Sequence, residues 1–210
     1  MICHLAALQA KPLPSTLVPK LMPQLVLASA SPRRRELIAR LGITPDAIEA
    51  ADIDETPQPR EVPRDYARRM AREKALALSA PDACVLAGDT VVACGRRILP
   101  KAEDEATARA CLTLLSGRRH RVLSAIALRS PDGTLRERLS ETIVRFKLLS
   151  HAEIEAYIAG GEWEGKAGGY AIQGNAEGLI VSISGSHSGV VGLPLFETRA
   201  LLLAAGFALG

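Results

Sequence analysis

Short apolar runs alternate with longer amphipathic ones along most of the chain, a pattern that predicts an α/β domain. Leu25-Val26-Leu27-Ala28 has the composition of a buried strand, and it leads through a polar turn into the amphipathic segment Glu36–Leu41. Ile43–Ile53 reads as extended, ending in acidic Asp52, Asp54 and Glu55 before a loop punctuated by Pro57, Pro59 and Pro63. Arg64–Leu78 has helical periodicity, with Tyr66, Met70, Ala71, Ala75 and Leu78 on or near one face. Cys84–Ala87 is a short apolar strand, and Val91–Ala93 continues after Gly88-Asp89-Thr90 to a hairpin turn at Gly95-Arg96. Glu103–Leu115 is a helix stopped by Ser116-Gly117. Arg121–Leu128 and Leu135–Phe146 are long strands around an Asp132-Gly133 turn. His151–Ala159 is a helix closed by Gly160-Gly161, Leu179–Ile183 a strand, and Leu195–Ala205 the last helix. Gly185–Gly189 reads as a tight loop feeding that helix, and no internal repeat is present.

Strand, polar turn and helix meet at Ser29-Ala30-Ser31-Pro32-Arg33-Arg34-Arg35. Ser31 suits an N-cap and Pro32 the first helical position. The unpaired N–H groups of such a first turn, beside three arginines, suit a phosphate. The same residues also suit a capped surface helix with a solvated basic turn, and taken alone they do not separate the two.

Composition narrows the choices. The chain has 210 residues, enough for one large domain or a domain with a second lobe, and its 48% hydrophobic content is that of a soluble globular protein. Aromatics make up only 3%, too few for base-stacking platforms, and the net charge of +3 is dispersed. This disfavours nucleic acid and is compatible with an anionic small substrate. Cys3, Cys84, Cys94 and Cys111 show no metal-type spacing and are expected to be reduced thiols of a cytoplasmic protein. No apolar run reaches the roughly 18 residues of a membrane span. Residues 1–22 mix Pro12, Pro14 and Pro19 with two lysines and lack a signal-peptide pattern. They are expected to be a flexible extension, or the result of an upstream start before Met22, ahead of a domain over residues 23–210.

Several side chains invite a chemical reading. Asp89 is expected at the end of an apolar strand, where α/β folds place ligand-binding groups, and a carboxylate there can hold a divalent ion or accept a proton. Glu55, with Asp54 beside it, is a second candidate carboxylate or a solvated acidic loop. Lys74 and Lys101 could hold phosphate or be surface lysines, and Lys166 lies in the glycine-rich run Gly165-Lys166-Ala167-Gly168-Gly169, which is not a Walker A motif. Gln173, on a short strand-turn Gly169–Gly174, offers an amide able to read a base edge. His120 and His187 have no carboxylate orienter in sequence and read as strand-end and loop histidines.

Taken together the blocks resemble one family. Leu27–Arg34, Asp54-Glu55, Arg72-Glu73-Lys74-Ala75, Gly88–Val92, Leu115-Ser116-Gly117, Lys166-Ala167-Gly168, Ile172-Gln173-Gly174 and Val190–Leu195 are similar to the Maf proteins, and occur in the family's order from about Leu25 onward. The resemblance implies an α/β fold of two lobes around a twisted mixed β-sheet with a central cleft. It implies hydrolysis of a nucleoside triphosphate between its α and β phosphates, to monophosphate and pyrophosphate. Asp89 falls on the family's proton acceptor and Glu55 on an acidic residue needed for activity, the pair being the expected site of a divalent Mg or Mn ion. Ser29, Arg33, Arg34, Lys74, Lys101 and Lys166 fall on phosphate-contacting positions; Arg35 is not required by the pattern.

Arg33, Thr90 and Gln173 match the branch of the family directed at dTTP and UTP, where the 7-methyl-GTP branch has tryptophan, glutamine and glutamate. A neutral amide such as Gln173 can satisfy a pyrimidine O4 and N3–H together. The implied role is the clearing of non-canonical or modified nucleotides, with a nucleoside triphosphate as partner, neither nucleic acid nor membrane, and a homodimer left open. The competing expectation is a nucleotide-binding regulator of cell division and septum formation without catalysis, though such a binder would not need a carboxylate pair. Two positions depart from the family: Ala102 replaces a proline after Lys101, and His187 stands where an aromatic is common. These put in doubt the rigidity of Lys101 and the packing at the cleft mouth.

Overall fold

The computed structural model describes residues 23–209, and the expectation for residues 1–22, Cys3 included, lies outside them. In chain order the elements are β1 (Gln24–Ala28), α1 (Pro32–Ala39), β2 (Ala47–Glu49), α2 (Pro63–Ala77), β3 (Ala83–Cys94), β4 (Arg97–Leu99), β5 (Lys101–Ala102) and α3 (Glu105–Leu115). There follow β6 (Arg119–Arg129), β7 (Leu135–Phe146), α4 (His151–Ala159), β8 (Lys166–Ala167), β9 (Ile180–Ser184), α5 (His187–Val191) and α6 (Leu195–Ala204).

A mixed sheet in the order β2-β1-β3-β6-β7-β9 forms the spine, with β4 beside β3. The contacts of β1 with β2 and β3 are parallel; β3, β6 and β7 pair antiparallel as long strands. Alternate residues of a strand face opposite sides, so β3 feeds two faces. Val85, Ala87, Val91 and Ala93 pack under α2 through Ala67, Ala71 and Ala75. The small side chains let that helix approach the sheet closely. On the other face Cys84 and Leu86 join Leu37 and Ile38 of α1 and Leu201 and Leu202 of α6. Further along the same face Val92 joins a different cluster, with Leu112 and Leu115 of α3 and Ile154, Tyr157 and Ile158 of α4. Two helical layers thus share one face of β3 and leave a gap between them. Gly88 and Thr90 stand in that gap, with Ser124 opposite Thr90 on β6. These are the two lobes and central cleft that the resemblance implied.

The structure revises several expectations. Strand β3 does not break at Gly88-Asp89-Thr90, because Ile126, Ala125 and Ser124 of β6 pair with all three. Asp89 is therefore mid-strand, two residues beyond the last parallel partner, Ala87 opposite Ala28. Only Ala47–Glu49 of the extended segment 43–53 joins the sheet. The expected loop Gly185–Gly189 instead begins the short helix α5, whose N–H at Gly189 is capped by Ser186. Gln173 sits in a turn, which leads into a 3-10 segment at Asn175–Leu179. Among the described residues, no helix is long and apolar enough to cross a membrane.

Candidate active site

Ser31 has extended backbone angles at the head of α1, yet its side chain accepts no hydrogen bond from the helix. Ser31 is the N-cap position and Pro32 opens the helix, as expected, but the side-chain capping bond is absent; Ser29 Oγ accepts from the Ser31 N–H at 3.2 Å and from Arg34 Nη1 at 3.0 Å. Arg34 Nε donates to the Gly192 carbonyl at 2.9 Å, so one guanidinium ties the β1–α1 turn to the end of α5. Its burial lowers its pKa, with the charge of Asp89 opposing that effect. Arg33 is half-buried and also lowered, first by desolvation, while Glu36 acts the other way. Arg35 is exposed.

Helix α2 carries one lysine inward. Lys74 is 7% exposed, and its Nζ lies 2.7 Å from Asp89 Oδ1 and 2.8 Å from Glu55 Oε1. Lys101 Nζ reaches the other Glu55 oxygen, Oε2, at 2.9 Å. Burial raises the Glu55 pKa, but the hydrogen bonds and charges of the two lysines outweigh it and hold the carboxyl at about 2. The Glu55 backbone is fixed too: Tyr66 Oη, from α2, donates to its carbonyl at 2.7 Å.

Lys166, expected in a loop, lies on the two-residue strand β8, which pairs antiparallel with β5 so that Lys101 faces Ala167 and Ala102 faces Lys166. Ala102 is fully buried and its carbonyl accepts from the Gly165 N–H at 2.7 Å, so the missing proline does not leave this corner loose. The pKa of Lys166 is lowered by burial first and by the charge of Arg33 next. Two cations facing one another across a gap are relieved by an anion between them. Gly168 lets the chain turn directly after β8: its φ is +70°, and a Cβ would stand 2.8 Å from Val92 Cγ1.

Ser29, Arg33, Arg34, Glu55, Lys74, Asp89, Thr90, Lys101, Lys166 and Gln173 all border one cleft of about 460 Å³. Every sequence-derived candidate is thus brought together, including residues far apart in the chain. Neither histidine belongs to it. His120 is buried, its Nε2 2.8 Å from Tyr170 Oη, and His187 is exposed at the start of α5. Sequence reading missed Ser124, Tyr66 and Gly192. Two carried a signal: Gly192 lies in the Val190–Leu195 block, and Ser124 is a lone polar residue inside the apolar run of β6. Among the described residues, no group of three or more His, Cys, Asp or Glu side chains is placed to hold a metal on its own.

A cation-walled cleft with a carboxylate pair on its floor, set between the lobes of an α/β sheet, defines a site for a polyanionic small molecule. The chain belongs to the family of Maf-like proteins, whose model it matches over residues 24–205. It is 71% identical to the dTTP/UTP pyrophosphatase of Novosphingobium aromaticivorans over 186 residues, 88% of this chain and 92% of that one. It is 63% identical to the dTTP/UTP pyrophosphatase of Rhodospirillum rubrum over 87% of this chain and 88% of that one. Among solved structures it is similar to a nucleoside-triphosphatase / dITP/XTP pyrophosphatase from Mycobacterium abscessus at TM-score 0.43 and 16% identity, covering 87% of this chain and 93% of that one. That last likeness is too distant to carry a conclusion.

Proposed function

We propose that this protein hydrolyses nucleoside triphosphates, dTTP and UTP foremost, at the α–β phosphoanhydride to give a nucleoside monophosphate and pyrophosphate. The observation that carries the reading is the convergence of Arg33, Arg34, Lys74, Lys101 and Lys166 on one cleft that also holds Glu55 and Asp89. A triphosphate brings roughly four negative charges near neutral pH, and guanidinium forks with lysine point charges hold such a group. The pyrophosphatase names of the relatives at 71% and 63% identity support catalysis over a regulator that only binds.

In this mechanism Arg34, Lys101 and Lys166 hold the phosphate chain, and Ser29 fixes Arg34 in place. Lys74 stands against the carboxylate pair, so its charge is available to oxygens that become more negative as the anhydride breaks. Asp89 accepts a proton from the attacking water; one of its oxygens is held by Lys74, and a carboxylate has a second to accept with. Gln173 and Thr90 face the nucleoside, the amide of Gln173 suiting a pyrimidine O4 and N3–H.

The donor set fits a divalent Mg or Mn ion. Glu55 and Asp89 offer hard carboxylate oxygens that already converge on one cation, the Lys74 ammonium, and such ions are commonly held by one or two carboxylates plus substrate phosphates. Glu55 and Asp89 would hold such an ion beside Lys74, and it would supply charge neutralisation for the leaving pyrophosphate. The cellular role proposed is the clearing of non-canonical or modified nucleotides in the cytoplasm. A substrate panel of dTTP, UTP, CTP and 7-methyl-GTP on one preparation tests the specificity: dTTP and UTP are expected to lead, and preference for 7-methyl-GTP would overturn it.

A further inference from the structure

Thr90 and Ser124 are register partners across β3 and β6, with their hydroxyl oxygens 3.0 Å apart. Ser124 is 1% exposed, and its hydroxyl donates to the carbonyl of Gly189, an atom that can only accept. A hydroxyl has one proton to give. With that of Ser124 spent on Gly189, the proton between the two hydroxyls belongs to Thr90. The other acceptor near Thr90 is the Gly192 carbonyl at 3.4 Å, itself engaged by Arg34 Nε. That contact is long and its oxygen is already taken, so the Thr90 proton goes to Ser124 Oγ and Oγ1 offers the cleft lone pairs alone.

We infer that Ser124 is a positioning residue for specificity: by taking the Thr90 proton it turns Oγ1 into a pure acceptor, and the site then selects a substrate group that donates. The inference rests on the nucleotide reading above and deepens it. Phosphate oxygens at neutral pH are acceptors and are repelled by such an atom, which places Thr90 against the nucleoside rather than the triphosphate. A uracil or thymine nucleotide carries two kinds of donor, the sugar hydroxyls and the imide N3–H, for the second of which Thr90 competes with the Gln173 amide. A ring nitrogen that accepts meets lone pair against lone pair. Gly88 and Thr90 floor the gap between the two helical layers, so nothing bulkier from β3 intervenes.

The test compares kcat/KM for dTTP, 2′,3′-dideoxy-TTP and N3-methyl-dTTP in wild type, Ser124→Ala, Thr90→Val and the double variant. Ratios between substrates on one preparation cancel the folded fraction, so partial misfolding of Ser124→Ala does not blur the result. Wild type is expected to favour dTTP by about tenfold over the analogue that lacks the recognised donor. Ser124→Ala and Thr90→Val each bring that ratio toward one, and the double variant goes no further than either, since Ser124 acts through Thr90. Collapse against the dideoxy analogue assigns the donor to the sugar hydroxyl; collapse against the methylated base assigns it to the imide. A Ser124→Ala enzyme slowed equally on all three substrates overturns the proposal and leaves Ser124 a strand-packing residue. A wild type inactive on dTTP overturns the nucleotide reading and this proposal with it, a pattern distinct from the first.

Discussion

Lys74 and Asp89 form a buried ion pair, Nζ to Oδ1 2.7 Å, with each side chain 9% exposed. Helix α2 and strand β3 are held together at that point by charge, within a layer made largely of alanines and valines. Removing one partner of a buried pair leaves an uncompensated charge, which costs about 3–5 kcal/mol. Lys74→Met is therefore expected to lower the melting temperature sharply and abolish pyrophosphate release. Adding Asp89→Asn to Lys74→Met should recover much of the stability and none of the activity. Recovery of activity in the double variant would show the pair to be structural only.

Glu55 gives the acid limb of the stability profile a specific source. Its folded pKa of about 2 lies below the ordinary 4.5, so its contribution is complete above 4.5 and is lost as pH falls from there toward 2. Thermal melts across that window should fall less steeply for Glu55→Gln than for wild type. Equal slopes would place the effect elsewhere.

His120 acts in the same direction through the opposite chemistry. Burial pushes its pKa down to about 4 from 6.5, so the unfolded chain binds the extra proton between those values and stability declines as pH drops below 6.5. The loss amounts to roughly 3 kcal/mol at most, at 1.36 kcal/mol per pKa unit. His120→Gln should flatten the melting profile between pH 6.5 and 4. Its pyrophosphate release should survive, since His120 does not border the cleft.

Much of this arrangement was legible from residue order. The strand–turn–helix at Ser29–Arg35 and the blocks around Glu55, Lys74, Asp89 and Lys166 pointed to one anion site, and all ten candidates border one cleft. What sequence could not supply was set by tertiary pairing. Strand β6 carries the backbone straight through Gly88-Asp89-Thr90, and β5 turns the Lys166 run into a strand. Ser31 is the N-cap the sequence suggested, yet its hydroxyl makes no capping bond, and Ser29 holds the Ser31 N–H instead. Nor does local pattern reveal that Ser124 faces Thr90, because the register of two strands 34 residues apart decides it.

Arg34 is expected to resist even conservative replacement. Its fork reaches Ser29 Oγ and the Gly192 carbonyl from separate nitrogens, which a single ammonium cannot reproduce. Arg34→Lys should raise KM for dTTP by about tenfold, the equivalent of one charged hydrogen bond. Steady-state kinetics check this, and an unchanged KM would remove Arg34 from phosphate binding.

Gly168 tests the placement of Lys166. A methyl group there meets Val92 while φ is +70°, so Gly168→Ala must shift β8 against β5. A loss of about 1–3 kcal/mol in stability is expected, together with a raised KM. A normal KM in a destabilised variant would detach Lys166 from the substrate.

The most direct measurement of the central claim is phosphorus NMR of the products formed from dTTP by the wild-type protein with a divalent cation. The account predicts thymidine monophosphate and pyrophosphate in equal amounts, with Asp89→Asn slower by about a hundredfold or more. Thymidine diphosphate with orthophosphate, or no turnover at all, would contradict it.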